Sequence, residues 1–184
     1  IELAIAELER TGAFEREVLV VVTPTGTGWV DPDAARSIEH LHGGDTAIVA
    51  VQYSFLPSWI AFLVDTDSPR ELGAALFDRM HERWSALPDD DRPTLLAFGE
   101  SLGSMGGETA YAAPTIRESI ASITSRYDGA LFTGPTRNNV VFGAIVDERD
   151  SGSPTWRPAL VAEPQVRVVT RISEIDPDDT SWST

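Results

Sequence analysis

Residues 18–22 read Val-Leu-Val-Val-Val. A strand with one face in water alternates apolar and polar side chains. A β-branched run without that alternation is a strand covered on both faces, and such strands belong to parallel sheets. Parallel neighbours need long crossovers between them, usually helices. The rest of the chain supplies both parts. "TAIVAVQY" (46–53) predicts a second buried strand, "TLLAF" (94–98) a third, and "DGALFTG" (128–134) a turn leading into a fourth. Between them lie stretches with helical spacing. Leu3, Ala4 and Leu8 mark a helix over 2–10, closed by Gly12. Asp31 and Pro32 start a second helix, Gly43 and Gly44 end it, and Ile38 and Leu41 are expected on its inner face. Ser68 and Glu71 have the spacing of a capping box for a third helix. Its stripe runs Leu72, Leu76, Phe77, Met80, Trp84, Leu87. Further helices are expected from Leu102 to about Tyr111 and over 115–126, where Ile116, Ile120 and Ile123 share a face. "SFLPSWIAFLVD" (54–65) is expected to be an apolar connector with a helix, packed in the core as large apolar residues usually are, or else lining an acyl pocket or touching a membrane. "VRVVT" (166–170) is expected to be a short strand, and 147–158 and the acidic end to be irregular. This order predicts an α/β fold in one domain over 1–184, a mainly parallel sheet with helices on both faces.

The third strand runs into "GESLG" (99–103), which fits G-x-S-x-G. Placed between a buried strand and a helix, that pattern describes a sharp turn presenting a serine oxygen above the sheet. The turn leaves no room for flanking side chains, so Gly99 and Gly103 flank Glu100, Ser101 and Leu102. Ser101 is the candidate nucleophile. The first free amide of the following helix, Leu102 N–H, would face a developing oxyanion. A second donor is expected from the loop after the first strand, "TPTGTGW" (23–29), at Thr25, Gly26 or Thr27. No Gly-Lys-Ser/Thr follows that loop, so it is not read as a phosphate cradle.

A serine hydroxyl is a weak nucleophile until a base takes its proton, and in this fold type the acid and then the histidine follow the serine in the chain. The three histidines, His40, His42 and His81, all precede Ser101. The acids after it are Asp128, Asp147, Glu148, Asp150, Glu163, Asp176, Asp178 and Asp179. Asp128 falls at the wrong end of its strand, those at 147–150 fall in a charged loop, and none follows a convincing late strand. The chain opens on Ile1 rather than Met, and the late strands, acid and histidine are expected beyond Thr184. The C-terminal part of the fold is therefore expected to be missing.

Charge and composition narrow the chemistry. The net charge is −15, from 29 acidic and 14 basic residues, which repels phosphate backbones and argues against nucleic acid. There is no cysteine, so thiolate catalysis, disulfides and cysteine–zinc sites are excluded. His40 and His42, two apart on a helix, diverge and cannot share an ion, so no metal or cofactor is expected. No apolar run reaches the ~18 residues needed to span a bilayer.

"ELERTGAFEREVLVVVTPTGTGWVDP", "GGDTAIVAVQYSFLPSW", "RWSALPDDDRPTLLAFGESLGS", "DGALFTGP" and "RDSGSPTW" together resemble the α/β-hydrolase-fold domain that ends a family of bacterial, chiefly actinobacterial, integral membrane proteins. The likeness runs from about Glu7 to about Val169. It implies that Ser101 matches the family's nucleophile and that the 23–29 loop matches its threonine/glycine block. It also implies a multi-pass membrane region ahead of this domain, and a C-terminal continuation carrying an aspartate strand end and a histidine segment. The expected function is a serine hydrolase of the esterase or lipase kind, membrane-associated, acting on a small-molecule or lipid ester. The alternative is an inactive hydrolase fold that binds or scaffolds. A complementing C-terminal segment is an expected partner.

Overall fold

The computed structural model describes residues 1–163 and 165–175. Strands β1 (Val18–Thr23), β2 (Thr46–Ala50), β3 (Thr94–Glu100) and β4 (Gly129–Thr133) form one sheet in the order β2-β1-β3-β4, every pairing parallel. The helices are α1 (Glu2–Arg10), α2 (Pro32–Leu41), α3 (Ser58–Val64), α4 (Asp67–Ser85), α5 (Leu102–Thr109), α6 (Ile116–Arg126) and α7 (Val140–Glu148).

β1 is central and buried along its whole length. Its side chains divide between two cores. Leu19 and Val21 join Leu95 and Ala97 under α1 and α4, where Ile5, Leu8, Leu76, Phe77 and Met80 pack with Tyr111 and Tyr127. Val18, Val20 and Val22 point the other way with Phe98, against Ala34 and Ile38 of α2. This two-sided burial is the reason the 18–22 run lacks alternation. A third cluster joins α6 and α7 through Ile116, Ile120 and Ile145.

The expected helix signals mostly hold. Asp31 Oδ1 accepts from the amides of Asp33 and Ala34, with Pro32 in the first turn of α2. The helix expected over 115–126 forms as α6, and a reciprocal capping box between Thr115 and Glu118, which was not anticipated from the sequence, opens it. Ser68 does not form the expected box with Glu71. Asp65, one residue before the N-cap Thr66, holds Ser68 instead, its Oδ1 accepting from Ser68 N–H at 3.0 Å and its Oδ2 from the Ser68 hydroxyl at 2.6 Å. α4 therefore starts at Asp67.

Other expectations fail for topological reasons. β2 stops at Ala50 and buries only Val49, because it is an edge strand with one neighbour. Leu41, expected inside, is 78% exposed at the end of α2. The 54–65 stretch is no buried connector. It contains α3, which buries Ala61 against Leu102 and Met105 of α5, and Phe55, Trp59, Leu63 and Val64 stand in solvent. Residues 166–170 form no strand; Val166 and Val168 pack on the α6–α7 cluster as irregular chain. α7 was not anticipated, and it places Asp147 and Glu148 on a helix end rather than in a loop.

Two crossings of backbone on backbone hold α5 against the sheet and α4. A Cβ on Gly103 would lie 2.0 Å from Thr23 O, and one on Gly106 would lie 2.4 Å from Pro69 O. A Cβ on Gly73 of α4 would lie 2.4 Å from Gly106 O. No side chain can give way at these points, since the obstacle is main chain. Gly103→Ala is expected to destabilise the fold by about 2 kcal/mol or more in urea unfolding. Gly43→Ala, whose added Cβ meets nothing within 4 Å, carries only its left-handed backbone penalty of about 1 kcal/mol.

Candidate active site

The sheet registers Val22 with Phe98 and Thr23 with Gly99. The segments leaving β1 and β3 thus begin side by side at the carboxyl edge. The helix after β1 packs on one face of the sheet, and the helix after β3 packs beside α4 on the other. Where successive connections part to opposite faces, they leave a crevice between them. It is a cleft of about 610 Å³ lined by Thr25, Thr27, Trp29, Pro57, Glu100 and Ser101.

Ser101 has φ 54° and ψ −118°, and it is the only non-glycine residue at positive φ among the described residues. Such a conformation costs of order 1–3 kcal/mol and persists only where neighbours impose it. Here they do so on both sides. The Ser101 amide donates to Thr133 O at 2.9 Å, extending the β3–β4 ladder by one residue. Its carbonyl accepts from Ser104 N–H at 3.0 Å, from Met105 N–H at 3.3 Å and from the Ser104 hydroxyl at 2.7 Å. The glycines on either side leave room for the turn: a Cβ on Gly99 would lie 2.4 Å from Gly103 O. The Ser101 residue itself is exposed.

The donors nearby fall into two groups. Leu102 N–H, at the first position of α5, has no hydrogen-bond partner among the described residues. In the β1 loop the Thr25 amide donates to Trp29 O at 3.1 Å and the Gly28 amide to Thr25 O at 2.7 Å, so those two are committed within the loop. Thr27 is exposed at the rim of the cleft.

Beneath the turn lies a buried polar cluster that no spacing in the sequence signals. Ser104, Asn139 and Glu108 are 0%, 2% and 4% exposed. Asn139 Nδ2 donates to Ser104 Oγ at 3.1 Å, and Asn139 Oδ1 accepts from the Thr136 amide and hydroxyl, each at 3.1 Å. Glu108 accepts from the amides of Val141 at 2.8 Å and Phe142 at 3.3 Å, the opening turn of α7. A carboxylate at a helix N-terminus meets free amides and the positive dipole end. Burial nevertheless dominates and pushes its carboxyl up to about 7, while the two amides and Asn139 pull the other way.

The histidines stand at the opposite edge. α2 ends near His40 and His42 and leads into the start of β2, and His42 Nδ1 lies 3.4 Å from Glu17, next to the start of β1. His81 lies late on α4, which leads to the start of β3, between Phe77 and Trp84. Burial, then Arg126, holds its imidazole below the ordinary value. Asp128 also sits at the start of its strand, accepting from Leu95 N–H at 2.7 Å. Asp147 pairs with Arg137, Glu163 with Arg117, and Asp150 accepts from Val161 N–H. Asp176, Asp178 and Asp179 lie outside the described residues. No group of His, Asp and Glu suited to a metal ion occurs among the described residues.

A parallel sheet with helices on both faces, carrying a serine in a strained strand-to-helix turn at its carboxyl edge, defines the class: an α/β-hydrolase fold. The chain belongs to an alpha/beta-hydrolase family, whose sequence model matches residues 1–184. No curated protein matches it, and no solved structure does.

Glu108 generates a pH prediction. Its folded value of about 7 lies above the ordinary 4.5. Its contribution to stability is therefore complete below about 4.5 and is lost as pH rises through about 7. Between pH ~5 and ~8, wild type is expected to lose on the order of 2 kcal/mol relative to Glu108→Gln, measured by urea unfolding at both pH values. A stability difference between the two proteins that does not change with pH would refute the assignment.

Proposed function

We propose that this protein is a serine hydrolase acting on ester bonds, with Ser101 as nucleophile. The observation that carries the reading is the positive φ of Ser101. A serine held in a costly backbone conformation at the mouth of a cleft, where glycine would sit without strain, points to a need for the hydroxyl itself. Ser101 Oγ attacks the ester carbonyl, and the carbonyl oxygen takes up negative charge next to Leu102 N–H. Thr27, on the facing loop, is the second donor in this reading. The tetrahedral intermediate collapses with loss of the alcohol, and water then releases the acid.

The proton of Ser101 must go to a base. His40, His42 and His81 lie at the far edge of the sheet, so the reading requires a histidine, and its orienting acid, delivered to the cleft from outside the described residues. A complementing C-terminal segment is the proposed source. Association with a membrane belongs to the same proposal. It is supported by the uncharged α3, whose Trp59, Leu63 and Val64 are exposed and whose N-terminal neighbour Pro57 lines the cleft. No helix among the described residues is long and apolar enough to cross a bilayer.

A second reading, an inactive fold that binds or scaffolds, is favoured by that same placement of the histidines. Fluorophosphonate labelling of the intact protein separates the two. Hydrolase chemistry predicts labelling that disappears in Ser101→Ala; absent labelling, or labelling that survives the substitution, favours the scaffold. Ser101→Gly is expected to abolish labelling while raising stability by about 1 kcal/mol, because glycine removes the left-handed strain. Unchanged or lower stability would count against strain at this position.

A further inference from the structure

Glu100 precedes the nucleophile and lines the same cleft. Its Oε2 is buried and has no hydrogen-bond partner among the described residues. Buried carboxylate oxygens are ordinarily satisfied, and an exception beside a cleft needs an explanation. That oxygen is closed to a water-sized group, so a ligand would meet only the part of Glu100 that lines the cleft, and three further observations bear on what that part would attract. Trp29, on the opposite loop, is 48% exposed and lines the cleft. The lining residues Thr25, Thr27, Trp29, Pro57, Glu100 and Ser101 include no lysine or arginine. The whole chain carries a net charge of −15.

A carboxylate and an indole in one cleft, without a competing cation, make a receptor for positive charge. The indole face attracts an ammonium group through its quadrupole, and the carboxylate attracts it directly. The net negative field draws cations toward the surface and repels phosphate- or carboxylate-bearing molecules. We propose that the cleft beside Ser101 binds an ammonium group, so that the substrate is an ester carrying a quaternary or protonated amine, with Glu100 and Trp29 as the residues that select it. The substrate class rests on the ester-hydrolase reading; the ammonium site does not.

The test uses the intact protein with choline and its neutral carbon isostere, 3,3-dimethylbutanol, by calorimetry or ligand-observed NMR. Choline is expected to bind at least about tenfold more tightly than the isostere. Glu100→Gln, which preserves shape, is expected to weaken choline about tenfold and to leave the isostere unchanged, and Trp29→Ala is expected to weaken choline as well. Urea unfolding of both variants establishes that they are folded. Equal binding of the two ligands, no choline binding, or choline affinity unaffected by either substitution overturns the proposal. A parallel assay compares Ser101-dependent hydrolysis of butyrylcholine with that of 3,3-dimethylbutyl butyrate. Selective choline binding with neither ester cleaved sinks the hydrolase reading and leaves the ammonium site standing. Cleavage of both esters at equal efficiency, without choline preference, does the reverse.

Discussion

The backbone at Ser101 is the constraint around which the carboxyl edge of the sheet is arranged. A side chain at φ 54° is held there because its amide is bound by β4 and its carbonyl by the first turn of α5. Those two anchors point in different directions, so the residue between them cannot relax without breaking one. The glycines follow from the same demand. α5 must start close enough to β1 and β3 for the turn to close, and at Gly99 and Gly103 the approach is so tight that even a methyl group meets main chain.

A second layer of support comes from α7. Asn139 reaches the Ser101 carbonyl through the Ser104 hydroxyl, and Glu108 binds the opening amides of α7. Each partner in this cluster has more than one hydrogen bond, which is what lets polar groups sit this deep. The segment after β4 is thereby tied to the helix after β3. The cleft above is open and uncharged apart from Glu100. The electrostatics of the site are thus dominated by one carboxylate.

Much of the scaffold was legible in the chain. The unbroken 18–22 run signalled burial on both faces, the Asp31-Pro32 pair signalled a helix start, and the G-x-S-x-G pattern located the turn to the residue. Local signals worked because each depends on contacts a few residues away. Failures occurred where a distant partner decided. β2 reads like β1 in composition, and only its place at the edge of the sheet exposes it. Asp65 outcompetes Glu71 for Ser68 because the chain entering α4 brings it within reach. "VVFGAIV" carried no helical periodicity that polar spacing could reveal, because α7 packs against two elements at once.

The site divides the same way. The amino-acid order alone determined which serine sits in the turn and which residues must be small beside it, since both follow from short-range backbone geometry. Only the tertiary structure decided that Trp29, Pro57 and Glu100 share one cleft with that serine, that Glu108 and Asn139 support the turn from below, and that every histidine lies at the far edge. Those relations join residues dozens of positions apart. They depend on strand order and on which face each helix covers, which no spacing along the chain encodes.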